Sequence, residues 1–128
     1  MAGKTINENK FMEIKMKEFL LIFRTDFKNT PDSSPEEIQA TNKRWMDWIG
    51  GIAAQNKLFD KGNRLANNGR VIRANKSVID GPYTEIKESI GGYIIIKVES
   101  YNEAVDIGKG CPIFNVGGNV EIREISKS

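Results

Sequence analysis

Gly92-Tyr93-Ile94-Ile95-Ile96-Lys97-Val98, followed after one residue by Ser100-Tyr101-Asn102-Glu103, decides how this chain folds. The first segment, with Tyr93 and three consecutive isoleucines, is a strong strand. The second is a capping box, in which Ser100 accepts from the helix start and Glu103 reaches back. It opens a short helix through Ala104, Val105 and Ile107, which Gly110 and Pro112 close. The same strand-then-helix order occurs earlier in the chain. Phe19-Leu20-Leu21-Ile22-Phe23 is a continuous apolar run, as expected of a central strand buried on both faces. A loop rich in Asn, Thr, Pro, Asp and Ser spans Asp26 to Ser33. Ser34-Pro35-Glu36-Glu37 then sets a second helix start, with Pro35 at the first helical position. Ile38, Trp45, Trp48, Ile49 and Ile52 fall on one stripe of that helix, which should end near Gln55 to Lys57.

Between the two strand–helix units, Leu65 to Ile72 carries Asn68-Gly69, and this predicts a hairpin turning at that dipeptide. Ser77-Val78-Ile79 is a further short strand, stopped by Asp80-Gly81-Pro82, and Asn119 to Ile125 is the last strand. The order strand, helix, strands, strand, helix, strand predicts an α+β, ferredoxin-like antiparallel sheet with two helices on one face. Such a sheet leaves its other face bare, and two copies packed face to face are the usual remedy in so small a chain. The expectation is a homodimer. Residues 1–16 are a polar lead-in, and the alternation of Met12, Ile14 and Met16 predicts that it extends the first strand. Residues 17–128 form the domain.

Composition narrows the function classes. With 19 basic and 17 acidic residues the net charge is +2, and no basic block lines up for a phosphate backbone, which argues against nucleic acid. No apolar stretch reaches the length of about 20 residues that a membrane helix needs. A cytoplasmic protein with no membrane association is expected. There are no histidines, so the commonest general base and zinc ligand are missing. One cysteine, Cys111, excludes an intrachain disulfide and a multi-cysteine metal site. Neither a metal nor another cofactor is expected.

Asp80-Gly81-Pro82-Tyr83-Thr84-Glu85-Ile86-Lys87-Glu88, then Gly91-Gly92-Tyr93, resembles the signature of the DGPF or YCII-related family, with Tyr83 in place of the commoner Phe. The likeness continues through Ala104-Val105, Gly110-Cys111-Pro112 and Gly117-Gly118-Asn119-Val120-Glu121-Ile122-Arg123. Upstream, Trp45-Met46-Asp47-Trp48-Ile49 and Gly69-Arg70-Val71 match the family's first helix and hairpin. The resemblance covers about Lys17 to Ile125. It implies a dimeric α+β barrel with a cleft near the Asp-Gly-Pro loop, but no established reaction. Some relatives are proposed to use an Asp–His pair, which a chain without histidine does not have.

The candidate catalytic residues are Asp80 and Glu85, carboxylates for acid–base work if burial raises a pKa toward neutrality. Against this, Asp80 suits a plain turn position, because its side chain readily bonds backbone two residues on. Glu85, Lys87 and Glu88 are equally a salt-bridged surface or dimer network. Tyr83, Lys87 and Arg123 are the candidate ligand-binding residues; Lys87 or Arg123 would stabilise negative charge. Tyr83 and Tyr93 are otherwise core or interface anchors. Arg123, paired with Glu121 on the last strand, either anchors an anion or bridges the dimer. Trp45 and Trp48 belong to packing. Cys111 is a buried small residue, with no histidine to activate it and a helix C-terminus nearby. Gly91-Gly92 and Gly117-Gly118 precede no helix start and mark bulges or turns. Two readings stand: a small-molecule-binding dimer with carboxylate chemistry, or a non-catalytic interaction module. Whether the carboxylates line a concave pocket or are consumed in ion pairs separates them.

Overall fold

β1 spans Lys17–Thr25, and its inward residues Phe19, Leu21 and Phe23 are fully or almost fully buried. The computed structural model describes residues 15–26, 33–82 and 88–127. The expected continuation of β1 into residues 12–14 lies outside the described residues. α1 (Pro35–Ala54) starts as its sequence requires: the Ser34 hydroxyl accepts from the Glu37 N–H at 3.2 Å, and Pro35 occupies the first turn. It ends at the Gln55 cap, and Asn56 takes a positive φ of 59° that turns the chain into β2 (Leu58–Arg64). β3 (Gly69–Ile72) and β4 (Val78–Gly81) follow, then β5 (Ser89–Val98), α2 (Tyr101–Gly108), a 3-10 helix (Pro112–Val116) and β6 (Asn119–Glu124). The Ser100 hydroxyl caps α2 at the Glu103 N–H, and Glu103 accepts from the Glu99 N–H, one residue before the position a standard capping box uses.

The main sheet has the order β2-β5-β1-β6, with every neighbouring pair antiparallel. This is the α+β architecture expected, with β1 and β5 central. Their register places Phe19 opposite Ile96 and Leu21 opposite Ile94. Both helices cover the face that carries these residues. Trp45, Trp48, Ile49 and Ile52 of α1 and Ala104 and Ile107 of α2 complete the core with Cys111 and Ile113. The tryptophans stack edge-on around Phe23, with ring centroids 4.9 Å and 5.9 Å away. Tyr101 stacks edge-on with Phe19, and its hydroxyl accepts from the Glu124 N–H at 2.8 Å, fastening the start of α2 to the end of β6.

Three local readings need correction. First, β1 is not buried on both faces within one chain: Leu20 and Ile22, which point away from the helices, stay half-exposed. Second, Asn68-Gly69 is not a hairpin turn. Gly69 opens β3, and the reversal occurs at Arg73 to Ser77, where Lys76 has φ 73° and the Asn75 side chain accepts from the Ser77 N–H at 3.0 Å. Leu65, which would have flanked the Asn-Gly turn, donates instead to the Gly91 carbonyl at 2.8 Å. Third, Asp80 is not a turn residue but a strand residue of β4, directly opposite Arg70.

β2 is a bulged edge strand. Gly62 sits at φ 65° so close to β5 that a Cβ there would lie 1.6 Å from the Tyr93 carbonyl oxygen, so only glycine fits. Gly91 is skipped in the β1–β5 register, as expected for a bulge. Gly118 is packed beneath Ile113 and against the Arg24 carbonyl, and Gly117 takes a left-handed φ of 77°.

Candidate functional site

The sheet face opposite the helices has an apolar centre and a charged side. In register, Leu20 lies between Ile95 on β5 and Arg123 on β6; Ile22 lies between Tyr93 and Glu121. Leu20, Ile22, Tyr93 and Ile95 are therefore a contiguous patch, all half-exposed. At the β2 side the Tyr93 hydroxyl accepts from the Asn63 amide at 3.1 Å, and the Lys97 ammonium stands 5.7 Å over the ring of Phe59.

On the β6 side Arg24, Glu121 and Arg123 form one cluster. Arg24 Nε donates to Glu121 Oε1 at 2.9 Å, and its Nη1 donates to the Glu88 carbonyl at 2.9 Å. Arg123 Nη1 lies 3.6 Å from the second oxygen of the same carboxylate. The bond from Arg24, reinforced by the charge of both guanidiniums, holds the Glu121 carboxyl below the usual carboxylate range. Two guanidiniums and one carboxylate leave one positive charge in excess. Arg24 is largely consumed, whereas the Arg123 side chain is 69% exposed and retains donors for a further acceptor.

Asp80 is elsewhere. Its carboxylate is 90% exposed, on the β3–β4 hairpin, 3.5 Å from Arg70 Nη1. Among the described residues β3 and β4 pair with each other alone, as a separate two-stranded sheet. Tyr83, Glu85 and Lys87 lie outside the described residues. Of the five residues singled out from sequence, Asp80 and Arg123 are thus described, and they stand on different sheets. Arg24, adjacent to Arg123 in space, was not singled out. Its signal was available only as a charge interrupting the apolar pattern of β1.

A groove of about 590 Å³ opens on the opposite side, between α1 and α2, walled by Asp47, Trp48, Ile52, Lys57, Glu103 and Asp106. Its charges are matched within the chain. Lys57 bonds Glu103 at 2.8 Å, Asp47 bonds Lys43 at 2.6 Å, and Lys109 lies 4.0 Å from Asp106. The bond from Lys57, then that from the Glu99 N–H, pull the Glu103 carboxyl down. A groove whose charges neutralise one another in this way is a poorer ligand site than the open sheet face. Cys111 is buried, and desolvation pushes its thiol up to about 12, which makes it a packing residue. Among the described residues there is no cluster of three or more Cys, Asp or Glu side chains placed to hold a metal. Nor is any helix among them long and apolar enough to cross a membrane.

The architecture and the ordered motifs agree with a comparison against protein families, in which the model of the YCII-related domain matches residues 20–127 of the 128. The chain belongs to the YCII-related family. No curated protein matches it. As a YCII-related domain it contributes a four-stranded antiparallel sheet and two covering helices. Membership names a domain and no activity, so what the chain does rests on the open sheet face, the Arg24–Glu121–Arg123 cluster and the position of Asp80.

Proposed function

We propose that this YCII-related protein works as a homodimer that binds a small anionic molecule beside the apposed sheet faces, at the corner formed by Arg24, Glu121 and Arg123. The observation that carries this reading is the open face itself. An apolar centre of Leu20, Ile22, Tyr93 and Ile95 costs free energy in water at roughly 25 cal/mol per Å² of apolar surface. A second copy removes that cost with the same patch, as a two-fold contact requires. The excess positive charge lies at the rim of the patch, where apposition encloses it without displacing the apolar contact. There Arg123 donates to a carboxylate or similar anion, and Glu121 fixes the guanidinium plane of Arg24.

Asp80 and Glu85 remain the carboxylates proposed for acid–base chemistry on such a ligand. Asp80 is exposed in the single chain, whereas acid–base work at neutral pH calls for a carboxylate withdrawn from water, so the proposal requires the dimer to bury it. The pairing of Asp80 with Arg70 favours a second reading, in which the protein is a non-catalytic interaction module and its charges serve the interface.

Thermal-shift screening of small carboxylates, ketones and phenols tests the proposal. A carboxylate should raise the melting temperature of the wild type, and Arg123→Gln should lose that shift while keeping the dimer. Asp80→Asn should keep binding and fold but lose any turnover. Equal shifts in wild type and Arg123→Gln would remove Arg123 from the site. Full activity in Asp80→Asn would remove Asp80 from the chemistry, and a wild type that turns over none of the ligands it binds would favour the interaction module.

A further inference from the structure

We infer that the β3–β4 hairpin is a docking arm that packs against the second copy of this chain, an inference that rests on the proposed homodimer. The hairpin joins the rest of the fold weakly. Its strands, Gly69–Ile72 and Val78–Gly81, have four residues each and, among the described residues, pair with no strand of the main sheet. Two-stranded hairpins of this kind are marginal in water unless something covers a face.

The face that needs covering is visible. Register places Arg70 opposite Asp80 and Ile72 opposite Val78, so these four side chains share one side. Ile72 is 70% exposed and Val78 59%. On the other side Val71 pairs with Ile79, which is also exposed. Four β-branched aliphatic residues in a solvent-facing hairpin are a binding surface or a liability.

Continuity with the open sheet face selects the occupant. Asn63 lies on that face, since its amide donates to the Tyr93 hydroxyl. Leu65, two residues on and tied to the Gly91 carbonyl, has the same parity and is itself exposed. The apolar track therefore runs from Ile95 and Tyr93 to Leu65, four residues before the hairpin opens at Gly69. A partner that covers the sheet face as far as Leu65 reaches the root of the arm. In a two-fold dimer each copy contributes one arm and receives one, which doubles the effect of every arm residue. Docking through the Ile72–Val78 side also removes water from the Arg70–Asp80 pair, which shares that side.

Sedimentation equilibrium on wild type and on the double variant Ile72→Thr/Val78→Thr is the test. Threonine keeps the β-branched shape that suits a strand but replaces a methyl with a hydroxyl. The dimer dissociation constant should rise by about tenfold or more, with the circular dichroism spectrum unchanged. Hydrogen exchange on the wild type, above and below its dissociation constant, needs no variant. The β3 and β4 amides should be protected in the dimer and exchange freely in the monomer. A wild-type dimer whose affinity is unmoved by the double variant, or whose hairpin amides exchange equally at both concentrations, overturns the arm alone. A wild type that is monomeric at every concentration overturns the proposed dimer and the arm together.

Discussion

Cys111 separates a packed thiol from a reactive one. It is 4% exposed at the junction between α2 and the 3-10 helix, and burial lifts its pKa to about 12. Since the thiolate is the nucleophile, the native protein at pH 7 should react with iodoacetamide far more slowly than the same chain in denaturant. Mass spectrometry of the alkylated protein checks this, and equal rates in the two conditions would show that the cysteine is accessible. The residue's role was legible from sequence because it follows from absences, no histidine and no second cysteine, and from the C-terminal end that α2 presents to it. Asp80 and Arg123 were singled out as two walls of one cleft, yet a single chain holds them on separate sheets. Nothing local to either residue encodes that separation. It depends on where the hairpin leaves the sheet, and that is set by the pairing of β2 with β5.

Two ion pairs at the level of elements tie strands and helices together across the chain. Arg24 to Glu121 links β1 to β6, and Lys57 to Glu103 links the segment after α1 to α2. In both, the folded-state carboxyl lies below its ordinary value, so each contributes stability that is present above about pH 4.3. That contribution is lost as pH falls through the lower folded value. The melting temperature should hold between neutral pH and pH 5, then fall on further acidification. Glu103→Gln should melt lower at neutral pH and show a shallower acid fall than wild type. Parallel curves for the two proteins would mean that the pair adds nothing. The elements themselves were legible in proportion to how local their signals are. Ser34 and Ser100 cap through residues three positions away, so both helix starts stand in the sequence. β2 does not: Asp60, Lys61, Gly62 and Asn63 break any alternation, and a bulged edge strand takes its register from its neighbour. Asn68-Gly69 misled because a turn dipeptide needs a strand on both sides, and Leu65 was already committed to β5.

For the molecule as a whole the central claim is that the open sheet face pairs with its twin. Unbroken apolar character in Phe19 to Phe23 suggested a strand buried on both sides, whereas one chain buries only the helix side. Among the described residues nothing covers the other face, and the proposed dimer assigns that cover to a second copy. Leu20 and Ile22 are therefore the residues whose pattern and whose burial disagree, and a second copy reconciles them. Light scattering at micromolar concentration measures this directly on wild type and on Ile22→Arg, a change at the middle of the patch and outside the helix-covered core. The account predicts twice the 14.4 kDa chain mass for wild type, and a single chain mass with intact secondary structure for the variant. A wild-type protein of single chain mass at that concentration would contradict it.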